Sequence, residues 1–161
     1  MTIRKPAELL DGLAAGTRLL GLDVGTRTVG LALSDVERRI ATPYATVKRT
    51  RLAADLARIA ETIAGEGVGA LVVGLPINMD GSEGPRCQAT RQFAKDLLAR
   101  HDLPLAFWDE RLSTRAAEST LLAADLSRKR RKEVIDKVAA AIVLQSLIDF
   151  LRTRMGGTAG L

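Results

Sequence analysis

The 161 residues amount to about one domain, and a composition of 47% hydrophobic and 27% charged residues is that of a globular protein rather than a disordered one. One cysteine (Cys87) and one histidine (His101) exclude an internal disulfide and any zinc site of Cys and His ligands, and one Trp, one Tyr and three Phe are too few for a base-stacking platform. The net charge of +5 equals the unbroken run Arg128-Lys129-Arg130-Arg131-Lys132, which leaves the rest of the chain neutral and points to a local contact with a polyanion.

Residues 1–16 read as an N-terminal extension in which Pro6 starts a short helix through Leu13, with Gly12 and Gly16 as stop signals. Arg18 to Val24 is a near-continuous apolar run, the mark of a strand buried on both faces. Gly25 to Thr28 turns the chain into a second strand over Val29 to Ser34, and a third covers Ala41 to Lys48. Their connections are too short for crossover helices, so these three strands are expected to be antiparallel.

The period then changes. Leu52, Leu56, Ile59, Ala60 and Ile63 recur at helical spacing, ending near Gly65 and Gly67. Ala70 to Leu75 is a short buried strand, Pro76 to Pro85 a loop with an Asp80-Gly81 turn, 86–101 a helix, and Leu105 to Trp108 a fifth strand. Strands four and five each follow a helix and should join the sheet in parallel by right-handed crossovers. Ser113 or Thr114 is placed to cap a helix through about Leu122. The basic run reads as a linker, followed by a long helix from about Glu133 to Arg152 and a tail over 154–161. The expected architecture is one α/β domain over 17–153, a five-stranded mixed sheet flanked by helices. No apolar stretch approaches the ~20 residues of a membrane span and no secretory signal is visible, so a cytoplasmic location without membrane contact is expected.

Three acids stand out. Asp23 interrupts the most apolar strand, Glu110 lies where strand five stops, and Asp136 falls in the first turn of the long helix as read here. Counting from Asp136, Ala139, Ala140, Val143 and Leu147 form an apolar stripe that should pack on the sheet. Taken singly, each acid has an ordinary explanation: Asp23 caps the Gly25 turn, Glu110 pairs with Arg111, and Asp136 is favoured by the helix dipole. Taken together, they pose a problem of burial, because an unpaired buried carboxylate is costly and no buried-looking Arg or Lys accompanies Asp23. A hard divalent cation, Mg²⁺ or Mn²⁺, resolves it through oxygen ligands alone.

Four segments, Leu22-Asp23-Val24-Gly25-Thr26-Arg27-Thr28-Val29-Gly30, Val72 to Gly81 (with Gly74-Leu75-Pro76-Ile77-Asn78-Met79-Asp80-Gly81), Asp109-Glu110-Arg111-Leu112-Ser113-Thr114, and Val134-Ile135-Asp136 followed by Ala139-Ala140, occur in one order. In that order they resemble the YqgF/RuvX family of pre-16S rRNA nucleases, which are like Holliday junction resolvases and have an RNase H-like fold. The resemblance covers about residues 18–152. The Asp-x-Gly-Thr element also opens the phosphate-binding strand of actin-like ATPases, but those need two lobes and this chain supplies one.

The resemblance implies that Asp23, Glu110 and Asp136 are the catalytic, metal-binding triad for one or two Mg²⁺ or Mn²⁺ ions; Asp23 reads as the bridging ligand because an acid on the central strand can face both metals. It also implies maturation of the 5′ end of 16S rRNA, with pre-rRNA and ribosomal precursor particles as partners. One position departs from the wider resolvase group, Ala139, where those relatives carry a second helix acid, and Lys137 is bulkier than the small residue expected beside the family aspartate. A junction resolvase acting on branched DNA and a non-catalytic nucleic-acid-binding module stay open as alternatives, and so do a monomer and a homodimer. Thr26, Arg27, Asn78, Arg111, Ser113 and Thr114 flank the acids and can donate to phosphate oxygens, although turn and cap chemistry also accounts for them. Arg128, Lys129, Arg130, Arg131 and Lys132 precede the Asp136 helix and are expected to neutralise backbone phosphates.

Overall fold

The computed structural model describes residues 3–113 and 128–159 and contains β1 (Arg18–Val24), β2 (Thr28–Ser34), β3 (Ala41–Lys48), α1 (Leu52–Gly65), β4 (Val68–Leu75), α2 (Pro85–Arg100), β5 (Leu105–Asp109) and α3 (Arg128–Ala159). The sheet runs β3-β2-β1-β4-β5, with β2 antiparallel to both β3 and β1, and β1, β4 and β5 parallel. The two most apolar runs thus become the central strands β1 and β4, where both faces are covered. Among the described residues, no helix is long and apolar enough to cross a membrane.

Strand alternation divides the core in two. Leu20, Leu22, Val29, Leu31, Leu71 and Val73 point to the face covered by α1 and α2, where they meet Ile59, Phe93 and Leu97. Leu19, Ala32, Ala70, Val72 and Ala106 point to the other face, against Ala140, Val143, Leu144, Leu147 and Ile148 of α3. Asp23 shares this second face with Leu19, two and four positions along the same strand from Gly21 and Leu19. Ala140, Val143 and Leu147 of the stripe counted from Asp136 pack on the sheet, while Ala139 is only half-buried, and burial of Leu144, Leu147 and Ile148 is worth roughly 1.5–3 kcal/mol per side chain. Gln145 fastens α3 to the sheet edge, accepting from Ala41 N at 2.7 Å and donating to Arg39 O at 3.1 Å.

Small residues decide how closely α3 approaches. A methyl group at Gly30 would overlap the carbonyl oxygen of Asp136, so at that point helix backbone lies directly on β2.

Three expectations are corrected. The basic run is helix rather than linker: α3 starts at Arg128, because Lys and Arg are good helix formers and no Gly or Pro interrupts the path into Glu133. Asp136 therefore lies well inside the helix rather than in its first turn, and the dipole explanation for it falls away. The helix also continues to Ala159. The segment after Pro6 forms only a 3₁₀ turn over Pro6–Glu8, because Leu9 turns inward and is fully buried under α3. Arg4 N donates to Leu105 O, and Arg38 Nε donates to Thr17 O, which ties this segment to the domain. The helix expected after Ser113 lies outside the described residues.

Candidate active site

β1 and β5 are separated by β4, so an acid at the end of β5 meets Asp23 only by crossing β4. Gly74 makes the crossing possible: a Cβ there would stand 2.7 Å from Glu110 Oε1 and 3.1 Å from Val143 Cγ2. Glu110, opening a 3₁₀ turn directly after β5, lies back over this gap and hydrogen-bonds Asp23 side chain to side chain. Arg111 is not its partner. That guanidinium is taken by Asp109, with Nη2 2.7 Å from Oδ2, and the pairing holds the Asp109 carboxyl below its ordinary range.

The pair is electrostatically uncomfortable. Burial pushes the Glu110 carboxyl up to about 8, and the charge and hydrogen bond of Asp23 act in the same direction. Asp23 is also raised, chiefly by burial; the hydrogen bond from Glu110 opposes this and the nearby Asp136 charge adds to it. Near neutral pH Glu110 therefore keeps its proton and shares the hydrogen bond with Asp23.

A cation absent from the sequence reading stands beside them. Arg86 donates from Nη2 to Val24 O at 2.8 Å and lowers both carboxyls. It is the second residue of α2, after Gly84 and Pro85, where the helix dipole disfavours a positive charge. That misplaced charge was the available signal: a cation in a first turn needs an anion nearby.

Asp136 reaches the neighbourhood from α3, but its Oδ2 accepts from Thr28 Oγ1 at 2.7 Å. The structure thus brings Asp23 and Glu110 into contact and holds the third acid on Thr28. Among the described residues, no three His, Cys, Asp or Glu side chains gather within reach of one ion. The donor set nonetheless suits a hard divalent cation, since it is all oxygen and the Asp23–Glu110 contact exists only through a proton that a cation would replace.

The pair opens into a cleft of about 440 Å³ walled by Pro76, Met79, Arg111, Ser113, Ala139 and Val143 among others. Ser113 Oγ is buried there without a hydrogen-bond partner among the described residues. Thr26 and Arg27 are exposed in the β1–β2 turn at the same end of the sheet. Asn78 is spent on its own loop, its backbone N and its Nδ2 donating to Ser82 O and Oγ, while Asp80 accepts from Ser82 N and Oγ. Turn chemistry therefore accounts for both. Thr114 lies outside the described residues, and Arg128 to Lys132 are placed as the opening turns of α3.

Residues 17–150 match the family described as RuvX: Holliday junction resolvase. A relative from Paramagnetospirillum magneticum, named "Putative pre-16S rRNA nuclease", is 57% identical over 149 residues, 92% of this chain and 96% of its own. A relative of the same name from Roseobacter denitrificans is 54% identical over 154 residues, 94% of each chain. Among solved structures, T. thermophilus RuvC in complex with Holliday junction substrate is similar with a TM-score of 0.56 at 16% identity, covering 87% of this chain and 96% of that one. A second T. thermophilus RuvC structure gives 0.52 at 16% identity, covering 87% and 97%. At such identity the likeness is one of fold, the RNase H-like sheet expected from the sequence.

Proposed function

The chain belongs to the RuvX family, and from that premise we propose that it is a divalent-metal-dependent endonuclease that hydrolyses phosphodiester bonds in structured RNA, maturing the 5′ end of pre-16S rRNA in cytoplasmic ribosomal precursor particles. The observation that carries the reading is the Asp23–Glu110 carboxyl pair, half-buried at an open cleft and held together by a proton. Asp23 and Glu110, with Asp136 as a third ligand, would hold Mg²⁺ or Mn²⁺, which would supply Lewis acidity toward the phosphate and the attacking water.

The remaining work falls to the chain. Thr28 orients Asp136 near Asp23. Arg86, with one guanidinium nitrogen tied to Val24 O, has further donors for phosphate oxygens beside the pair, and the Ser113 hydroxyl, without a partner among the described residues, lies in the cleft wall. Arg111 is oriented by Asp109 and lines the cleft, so its charge faces the substrate without neutralising Glu110. RNA is favoured by the names of the relatives. Junction DNA is the second reading, favoured by the family's description; against it, Ala139 stands in the cleft wall where the resolvase group carries another acid.

The test offers the full chain a 5′-extended 16S rRNA transcript and a four-way DNA junction, with Mn²⁺ or with chelator. Cleavage of the transcript, lost with chelator and in Asp23→Asn, is expected. Cleavage of the junction alone would move the assignment to the second reading, and binding without cleavage of either would leave a recognition module.

A further inference from the structure

A second concavity, of about 280 Å³, lies outside the catalytic cleft and is lined, among the described residues, by Thr28, Thr46, Lys48 and Lys137. We propose that it is a subsite for one backbone phosphate of the nucleic-acid strand, adjoining the catalytic centre through Thr28 and Asp136. The proposal rests on the reading that the protein acts on nucleic acid and adds where the strand runs.

The placement follows from register. Thr28 pairs with Lys48 and Gly30 with Thr46 across β2 and β3, and the pairing stays regular over these residues. Residues two apart on a strand share a face, so Thr28, Thr46 and Lys48 stand on the face on which Gly30 receives α3. Because the helix backbone rests on Gly30 at Asp136, the next residue, Lys137, comes down beside this hairpin. The side chain that departs from the family pattern therefore completes the concavity.

The chemistry is that of an anion site. Two lysines from separate elements line one concavity, and among the described residues neither forms an ion pair with a carboxylate. The adjacent acid, Asp136, is occupied by the Thr28 hydroxyl. The neutral hydroxyl leaves the Asp136 carboxylate charged, so two lysines beside one carboxylate leave a net positive charge that an arriving anion relieves. Lysine provides a point charge for phosphate rather than a reader of bases, so the contact positions a strand without regard to sequence. β3 is the outermost strand, which leaves the concavity at the sheet edge where a polymer can pass.

The experiment measures binding of a labelled RNA duplex with a single-stranded tail by fluorescence anisotropy, in chelator so that nothing is cut, over a series of salt concentrations. Lys48→Ala/Lys137→Ala is expected to flatten the log–log salt dependence by about 0.7–0.9, the contribution of one neutralised phosphate. Lys48→Arg/Lys137→Arg should keep the wild-type slope, showing that charge rather than packing is read. Lys95→Ala/Arg100→Ala, which removes the same charge from exposed positions on α2 across the sheet, should also leave the slope unchanged.

An unchanged slope in the Lys48/Lys137 double variant, or equal losses in both alanine doubles, overturns the subsite. If the wild type cleaves RNA with Mn²⁺ while the slopes stay equal, the subsite fails and the nuclease reading stands. If the slope depends on Lys48 and Lys137 while nothing is cleaved, the subsite stands and the nuclease reading fails.

Discussion

Thr28 Oγ1 donates to Asp136 Oδ2 at 2.7 Å, joining the first residue of β2 to a carboxylate of α3 beside the point where the two backbones touch. The hydroxyl thus sets where the third acid stands relative to the Asp23–Glu110 pair. Removing a hydrogen bond that orients a ligand typically costs 10–100-fold in metal affinity or activity. Thr28→Val is expected to lower metal-dependent cleavage by roughly 10-fold or more, whereas Thr28→Ser retains it. Titration of cleavage rate against Mn²⁺ distinguishes the two, and equal curves for Thr28→Val and wild type would refute the role.

Gly30 is where the helix touches the sheet. Gly30→Ala forces helix backbone away from β2, at about 1–3 kcal/mol for an overpacked site, and displaces Asp136 with it. Gly65, at the end of α1 with open space where its Cβ would stand, is the comparison: Gly65→Ala is expected to be neutral or stabilising by up to about 1 kcal/mol. Chemical denaturation of both variants checks the contrast, and Gly30→Ala should lose metal-dependent activity beyond its loss of stability.

The carboxyl pair makes a pH prediction. Glu110 titrates at about 8 in the folded chain against an ordinary value of 4.5, so between these values the native state holds a proton that the unfolded chain has released. Its contribution to stability is full below the ordinary value and is lost as pH rises to about 8. Glu110→Gln should abolish this part of the pH dependence of the metal-free protein. Because a cation must displace the same proton, Mn²⁺ should raise Tm more at about pH 8.5 than at about pH 6. Thermal melts at the two values decide it, and a Mn²⁺ effect that shrank with rising pH would contradict the assignment.

Much of this architecture was legible because burial leaves a mark on sequence. The apolar runs of β1 and β4 announced central strands, and an acid inside one of them announced Asp23 as exceptional. Glu110 was visible from its position at a strand end, but its partner was not: the neighbouring Arg111 looked right, and Asp109 takes it because the 3₁₀ turn brings that pair together. The start of α3 was obscured by charge, since a basic run looks like a linker when composition is weighed above helix propensity. Arg86, the Thr28–Asp136 bond and the Lys48–Lys137 concavity join residues far apart in the chain. No periodicity records such meetings; they follow from sheet register and the close seat of α3 on Gly30.

The central claim is that Asp23 and Glu110 are the cation-binding core of a nuclease site. Anomalous scattering from a crystal soaked in Mn²⁺ above the pKa of Glu110 tests it most directly. A peak coordinated by both carboxylates, with Asp136 in its shell, is the predicted result. Saturating Mn²⁺ with no peak at the cleft, and Glu110 still hydrogen-bonded to Asp23, would contradict it.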